Sequence, residues 1–478
     1  MEQVITAISG ILTDYILIAV LLAAAVYFTI RTGGVQFRMA GEMIRLLLHS
    51  GKRDENSHGV PAADTVSSFQ AFSLSIASRV GTGNMAGVAT AIAMGGPGAV
   101  FWMWVIALLG AASAFVESTL AQLFKVKGEK SFMGGPAYYI QKGLGNRPWA
   151  VCFAVLITVT FGFAFNSVQA NTIASAFNES FGVSPLLTGT VLTVATFVII
   201  TGGIQRVSRF SEMVVPVMAI AYLLLAVVIV ALNIGRIGEI LTMIFTDAFS
   251  PDSALGGTVG MGIIMGIKRG LFSNEAGEGS TPNAAATATV SHPVKQGLIQ
   301  ALGVYTDTLL VCSCTAFIIL CSGIFTEGHD GIILTQKAID ADLGSGHNYG
   351  SIFVSIAILF FAFTSIVANY YYGETNLLFI RNSKRMITIY RLMVCAIVLT
   401  GSLTTLTIVW GFADITMALM TLCNLAAILM LGKYAFTLLK DYRRQRKEGK
   451  NPVYTSDTIP EIKHLTECWN EDYSNKNP

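Results

Sequence analysis

Charge is what this 478-residue sequence has least of: Asp, Glu, Lys and Arg together make up 13%, against 53% hydrophobic residues. A soluble fold cannot keep that much apolar surface from water, so the chain is expected to be solvated by lipid. The charges nearly cancel, to a formal +2, which leaves no field of one sign to attract nucleic acid or an acidic partner. Cysteine is scarce and shows no paired spacing. Cys312, Cys314 and Cys321 share an apolar stretch with no histidine near them, so they read as small core residues and no metal set is indicated. None of the six histidines falls in the core of an apolar run, which argues against a histidine proton relay. HExxH, GxSxG and a serine, histidine and acid set able to meet at depth are also lacking, which speaks against a membrane-embedded enzyme.

Apolar length is what the sequence has in quantity. Runs long enough for a membrane helix, about 20 residues, lie at 11–30, 66–94, 98–124, 149–176, 185–203, 211–233, 255–278, 296–322, 349–377, 387–409 and 412–438. The expected fold class is therefore all-α and polytopic, with about eleven transmembrane helices. Glu2 is the one charged residue before the first run, and Arg31, Arg38, Arg45, Lys52 and Arg53 follow it, the reverse of a secretory leader. Short loops rich in Lys and Arg stay cytoplasmic, which predicts an outside N-terminus. Lys125, Lys127 and Lys130, then Arg206 and Arg209, then Arg381, Lys384 and Arg385 agree at alternate loops. Lys440, Arg443, Arg444, Arg446 and Lys447 put the C-terminus inside, as expected for a multi-pass protein of a prokaryotic inner or plasma membrane. The expected division is a peripheral first helix with a cytoplasmic amphipathic linker (1–65), a first five-helix repeat (66–235), an extracellular segment with a second, inverted repeat (236–439), and a polar, partly disordered cytoplasmic tail (440–478).

Two runs are interrupted where a lipid-facing helix would not tolerate it. One interruption is Ser78-Arg79-Val80-Gly81-Thr82-Gly83-Asn84; the other spans Gly266 to Ser280 and includes Lys268, Arg269, Glu275 and Glu278. Unpaired backbone at membrane depth costs several kcal/mol per group unless it lines a cavity or is buried in protein. Glycine for close packing and snorkelling side chains would account for a single such break. Two of them open the second and seventh spans, the first helices of two five-span blocks of opposite orientation. That is the pattern of LeuT-type inverted repeats.

Three stretches then carry a family resemblance: Gly81-Thr82-Gly83-Asn84-Met85-Ala86-Gly87-Val88-Ala89-Thr90-Ala91, Gly95-Gly96-Pro97-Gly98-Ala99-Val100-Phe101-Trp102-Met103-Trp104, and Lys268-Arg269-Gly270-Leu271-Phe272-Ser273-Asn274-Glu275-Ala276-Gly277. In these the chain resembles the alanine or glycine:cation symporter family, over about residues 15–440. The resemblance implies a LeuT-type fold with one peripheral helix before the repeats, coupling to sodium or, less often, protons, and Gly266, Ile267 and Phe272 as pocket walls. Freed N–H groups of Thr82, Gly83 and Asn84 suit the carboxylate of an amino acid. Freed carbonyls near Ser78 and Arg79, with the hydroxyls of Thr364 and Ser365, suit a sodium ion; Ser and Thr also serve as packing residues. Asn166 and Gln169, three apart, share a face and reach one ligand, or else act as interhelical glue.

Asn369 departs from the family pattern, in which a tryptophan stands ahead of the intact Tyr371-Tyr372-Gly373-Glu374. An amide in place of an indole opens volume and adds two donors and an acceptor, which favours glutamine over alanine or glycine. The expected function is thus sodium-coupled symport of a small neutral amino acid into the cell by alternating access. Proton coupling, or a membrane amino-acid sensor without transport, are the alternatives. The partners expected are the amino acid, sodium and lipid, with no nucleic acid, no further cofactor and no obligate protein partner. Glu117, Asp307, Glu275, Glu278 and Glu374 are the embedded acids open to a proton or to pairing with Lys268 or Arg79. A channel would instead show a pore-lining filter repeated by subunit symmetry.

Overall fold

A backbone that crosses hydrocarbon satisfies its own N–H and C=O groups only as a helix or a closed barrel. The computed structural model describes residues 10–50, 66–128, 131–249, 258–344 and 348–469. Apart from a two-strand hairpin, β1 (Val126–Lys127) and β2 (Phe132–Met133), its regular elements are helical. Glu2, Lys52, Arg53, Lys130, the rest of the linker to residue 65 and the last residues of the tail lie outside the described residues.

A peripheral α1 (Gly10–Arg31) and a short α2 (Ala40–His49) come first. The first block has α3 (Ser68–Arg79), a π-helical turn Gly83–Gly87 running into α4 (Val88–Gly95), then α5 (Gly98–Leu123), α6 (Pro136–Leu144), α7 (Arg147–Phe181), α8 (Pro185–Ile200) and α9 (Gly203–Leu232). Next comes α10 (Ile237–Ala248). The second block has α11 (Thr258–Asn274), α12 (Thr281–Thr287), α13 (Pro293–Ser322), α14 (Gly331–Leu343), α15 (Tyr349–Ile380), α16 (Lys384–Leu403) and α17 (Leu406–Lys447). Among the described residues eight helices are long and apolar enough to cross a membrane. The two broken pairs and the apolar, 16-residue α8 lie among them in the chain. Both blocks repeat one order: a broken helix, a long helix, a short helix (α6 or α14), then three more helices.

Local sequence sets the helix starts. Ser67 accepts from Gln70 N while Gln70 returns a bond to Ser67 N, a capping box at the head of α3. Proline occupies the first turn of α8, α12 and α13, where its missing N–H costs nothing. Packing then separates inside from outside: 67% of the most apolar window of α5 is buried against 22% for α9. Val217, Ile220, Leu224 and Val227 of α9 are exposed, an apolar face for lipid. The unbroken α5 backs both α11 and the start of α13 and so carries the second break.

The tail departs from expectation. α17 continues to Lys447, and residues beyond it fold back onto the molecule instead of standing in water. Tyr454 N donates to Ser291 O at 2.8 Å, and the Trp469 indole donates to Gln122 O at 3.0 Å. Lys125 lies 4.8 Å from the Trp469 ring and 4.1 Å from that of Phe132, and burial pulls its ammonium down to about 8. The sequence is polar because its anchors, Tyr454, Ile459, Ile462 and Trp469, are few and widely spaced, a pattern without a period. Truncating one is a core deletion: Trp469→Ala is expected to cost about 3–5 kcal/mol, read as a lower unfolding midpoint of the detergent-solubilised protein. An unchanged midpoint would mean that the tail is not docked.

Candidate functional site

The first break is narrower than the sequence suggested. α3 ends at Arg79, Val80 is extended, and helix resumes at Thr82. Gly81 N donates to Asn84 Oδ1 at 2.9 Å; Thr82 donates to Gln169 Oε1 through its N–H at 3.0 Å and its hydroxyl at 2.8 Å. The amide oxygen of Gln169 thus covers the positive end of the resumed helix. A Cβ on Gly81 would lie 2.3 Å from Ser365 Oγ and 2.9 Å from Gln169 Oε1, so the approach of α15 and α7 requires glycine there. Gly83 is less crowded, with an added Cβ 3.0 Å from Ser273 Cα and 3.2 Å from Phe272 Cδ1 of α11. The Asn84 amide donates to Asp307 Oδ1 at 2.7 Å, and Ser273 donates to Asp307 Oδ2 at 2.8 Å, tying the first break to α11 and α13.

The second break lies later than expected. α11 runs unbroken to Asn274, and the irregular backbone is Glu275–Ser280. Glu275 has φ +56°, an uncommon conformation for a residue with a side chain. Gly266, expected as a pocket wall, packs closely on α5, where an added Cβ would collide with Ala99 O. Ile267 is buried in the same continuous helix. Phe272 faces the breaks: its ring centroid stands 4.4 Å from Phe165 and 4.6 Å from Trp410.

At the ion site expected near Ser78 and Arg79, the first-break carbonyls closest to Ser365 flank that pair. Ser365 Oγ lies 2.9 Å from Ala77 O, 3.5 Å from Val80 O and 3.0 Å from Phe361 O. The carbonyls that meet α15 are thus those of Ala77 and Val80, and not those of Ser78 and Arg79. One hydroxyl proton cannot serve three carbonyls, so the group presents surplus lone pairs. Thr364 Oγ1 donates to Phe361 O at 2.8 Å in the same turn. Ser78 instead turns its hydroxyl to Glu275 Oε1 at 2.6 Å and Asn369 Oδ1 at 2.9 Å. Arg79 donates to Gln300 O and Thr281 Oγ1. Asn369 Nδ2 donates to Asn166 Oδ1 at 3.1 Å, which places Asn166 and Asn369 together and Gln169 one turn along at the first break.

Three contributors escaped the sequence reading: Asp14, Trp410 and Asp414. Arg269 makes a two-pronged pair with Asp414 at 3.2 and 2.9 Å while its guanidinium lies 4.0 Å from the Trp410 ring centre. Lys268 pairs with Asp14 at 2.8 Å and Asp414 at 3.5 Å, so its partners are not the acids suspected from sequence. The signal was present, since two adjacent cations in an apolar helix demand acids on neighbouring helices. Glu374 is held by Arg391 at 3.0 Å and Tyr370. The Arg269, Asp414 and Trp410 stack covers Phe272. Asp414→Asn leaves a buried guanidinium without its counter-charge, and a loss of about 3–5 kcal/mol is expected in detergent unfolding; a change under about 0.5 kcal/mol, the size typical of a surface substitution, would show that the pair is solvated.

Residues 1–456 match the model of the sodium:alanine symporter family. The chain is 48% identical to a probable sodium/glutamine symporter, GlnT, of Bacillus subtilis (strain 168), over 98% of this chain and 97% of that one. It is 49% identical to the amino-acid carrier protein AlsT of the same organism, over 99% of each. Among solved structures it resembles that of MhsT in complex with L-phenylalanine, with a TM-score of 0.57 at 17% identity, covering 87% of this chain and 98% of that one; this likeness shows the LeuT fold. The chain is a multi-pass membrane protein and belongs to the sodium:alanine symporter family, a carrier of amino acids with sodium and not an enzyme.

Proposed function

We propose that the amino acid carried is glutamine, taken up with sodium at a site between the two helix breaks. The observation behind this is the Asn369 amide, held between Ser78 and Asn166 on the helix that also supplies Ser365. The substrate carboxylate displaces the Gln169 amide oxygen from Thr82 N and Oγ1, the donors at the positive end of the resumed helix. Phe272 forms the apolar wall, and the side-chain amide meets Asn369 and Asn166. Sodium takes the carbonyls of Ala77, Val80 and Phe361 with the hydroxyls of Ser365 and Thr364, replacing mutually repelling lone pairs by coordination. The similarity to a protein named a sodium/glutamine symporter supports the substrate. The distribution of Lys and Arg supports an outside N-terminus and a cytoplasmic C-terminus.

Coupling follows from shared structure. Val80 supplies a carbonyl to the ion and leads into Thr82, which holds the carboxylate, so either ligand orders the break for the other. Every residue named here is buried, and access from alternate sides requires one set of helices to move against the rest.

Two measurements in proteoliposomes test this reading. Ser365→Ala is expected to weaken sodium activation of uptake by about tenfold, ~1.4 kcal/mol, with the glutamine KM at saturating sodium little changed; an unaltered sodium dependence removes Ser365 from the ion site. Asn369→Trp is expected to lower kcat/KM for glutamine by about tenfold or more relative to alanine. Glutamine uptake untouched by that substitution, or alanine-dominated uptake by the unmodified protein, would refute the glutamine assignment.

A further inference from the structure

Four buried carboxylates, Glu117, Glu275, Glu278 and Asp307, lie within electrostatic reach of a single guanidinium, that of Arg79. Their hydrogen bonds divide them. Glu117 accepts from Gly277 N and Gly279 N at 3.1 Å each and from Asn424 Nδ2 at 2.8 Å. Asp307 accepts from Asn84, Ser273 and Thr308. Glu275 accepts from the hydroxyls of Ser78 and Ser280. Glu278 has no exposed surface, and neither of its oxygens has a hydrogen-bond partner among the described residues.

An ionised carboxylate without donors in such a place carries a desolvation cost of several kcal/mol, and the like charges of Glu275 and Glu117 face it from its own segment and from α5. Arg79, on α3, is the cation facing it. That guanidinium is in no ion pair among the described residues: it lies in the space left by Gly303, bonded to Gln300 O and Thr281 Oγ1, with its Nε unpartnered. Thr281 follows Glu278 by three residues, so the cation already reaches the segment that carries Glu278. A metal ion is a poorer fit, since no group of three acidic, histidine or cysteine side chains able to hold one exists among the described residues.

We propose that Glu278 is a proton-binding site, neutral in this conformation, whose carboxylate pairs with Arg79 when the proton leaves to water. Arg79 closes the helix before the first break, and Glu278 sits between the two glycines whose N–H groups hold Glu117. Loss of the proton therefore pulls on both broken helices, which makes the transport cycle sensitive to pH. The inference deepens the transport reading, and its spectroscopic test is independent of uptake.

The test compares the full chain with Glu278→Gln, an isostere of the protonated acid, and with Glu278→Asp, which keeps an ionisable group if the glutamine variant misfolds. Infrared difference spectra on titration should show the carbonyl stretch of a protonated carboxylic acid in the unmodified protein, absent in Glu278→Gln and shifted in Glu278→Asp. In proteoliposomes, uptake by Glu278→Gln should lose the pH dependence shown by the parent. A band that persists in Glu278→Gln and is unshifted in Glu278→Asp places the proton elsewhere and overturns the assignment; so does a band that sodium abolishes at constant pH, which would make this a sodium site. A chain that shows the band but takes up no amino acid would refute the transport reading alone.

Discussion

Backbone released from a helix inside a bilayer has no water to turn to, and this constraint propagates outward from the two breaks. At the first, the N–H groups of Gly81 and Thr82 are met by Asn84 and Gln169. At the second, those of Ala276, Gly277 and Gly279 are met by Asn274 and Glu117. Each unmet group would cost several kcal/mol, so each break imports polar side chains into an apolar interior. Those side chains need partners in turn: Asn84 engages Asp307, and Glu117 engages Asn424, which is bonded to Tyr139. The polar interior of this membrane protein is in large part the consequence of two interruptions.

Above and below that interior the chain is closed by different means. The pair between Arg269 and Asp414, stacked on Trp410, covers Phe272 from one side. A charged closure of this kind opens at modest cost once water enters, because solvation compensates separated charges. Toward the other end a cavity of about 860 Å³ lies against Tyr371, Glu374 and Arg391, while the tail straps α5 to the start of α13 through Trp469 and Tyr454. Ring packing and hydrogen bonds hold there together with the Lys125 ammonium over the Trp469 and Phe132 rings. The two ends therefore differ in what loosens them.

That the chain is a polytopic helical membrane protein, and where its long apolar helices lie, was legible in the sequence because a membrane helix is a composition over some twenty residues, and composition needs no knowledge of partners. The breaks were legible for the same reason, since glycine and charge interrupt that composition. Their boundaries were not: α11 continues through Lys268 and Arg269 because Asp14 and Asp414 neutralise them, and acids from helices over a hundred residues away in sequence are invisible to a local pattern. That Ser365 faces the first break was legible, whereas its meeting the carbonyls of Ala77 and Val80 depends on how α3 is rotated against α15. Gly266 is ambiguous in sequence because close backbone approach to a ligand and to a neighbouring helix ask for the same residue. The tail misled because four spaced anchors carry no periodicity.

Asn369 joins the two proposals through one hydroxyl proton. Ser78 Oγ lies within hydrogen-bond distance of both Asn369 Oδ1 and Glu275 Oε1, and it has a single hydrogen to give. When that hydrogen serves Glu275, the Asn369 oxygen is free to accept from a substrate amide; when it serves Asn369, Glu275 loses one of its two donors and the carboxylate cluster becomes less tolerant of charge. A tryptophan at 369 has no acceptor and would leave Ser78 committed to Glu275 alone. Under the proposed glutamine reading, the residue that meets the side-chain amide is thus also placed to report its arrival to the carboxylates around Arg79, which couples substrate choice to ion response at this position.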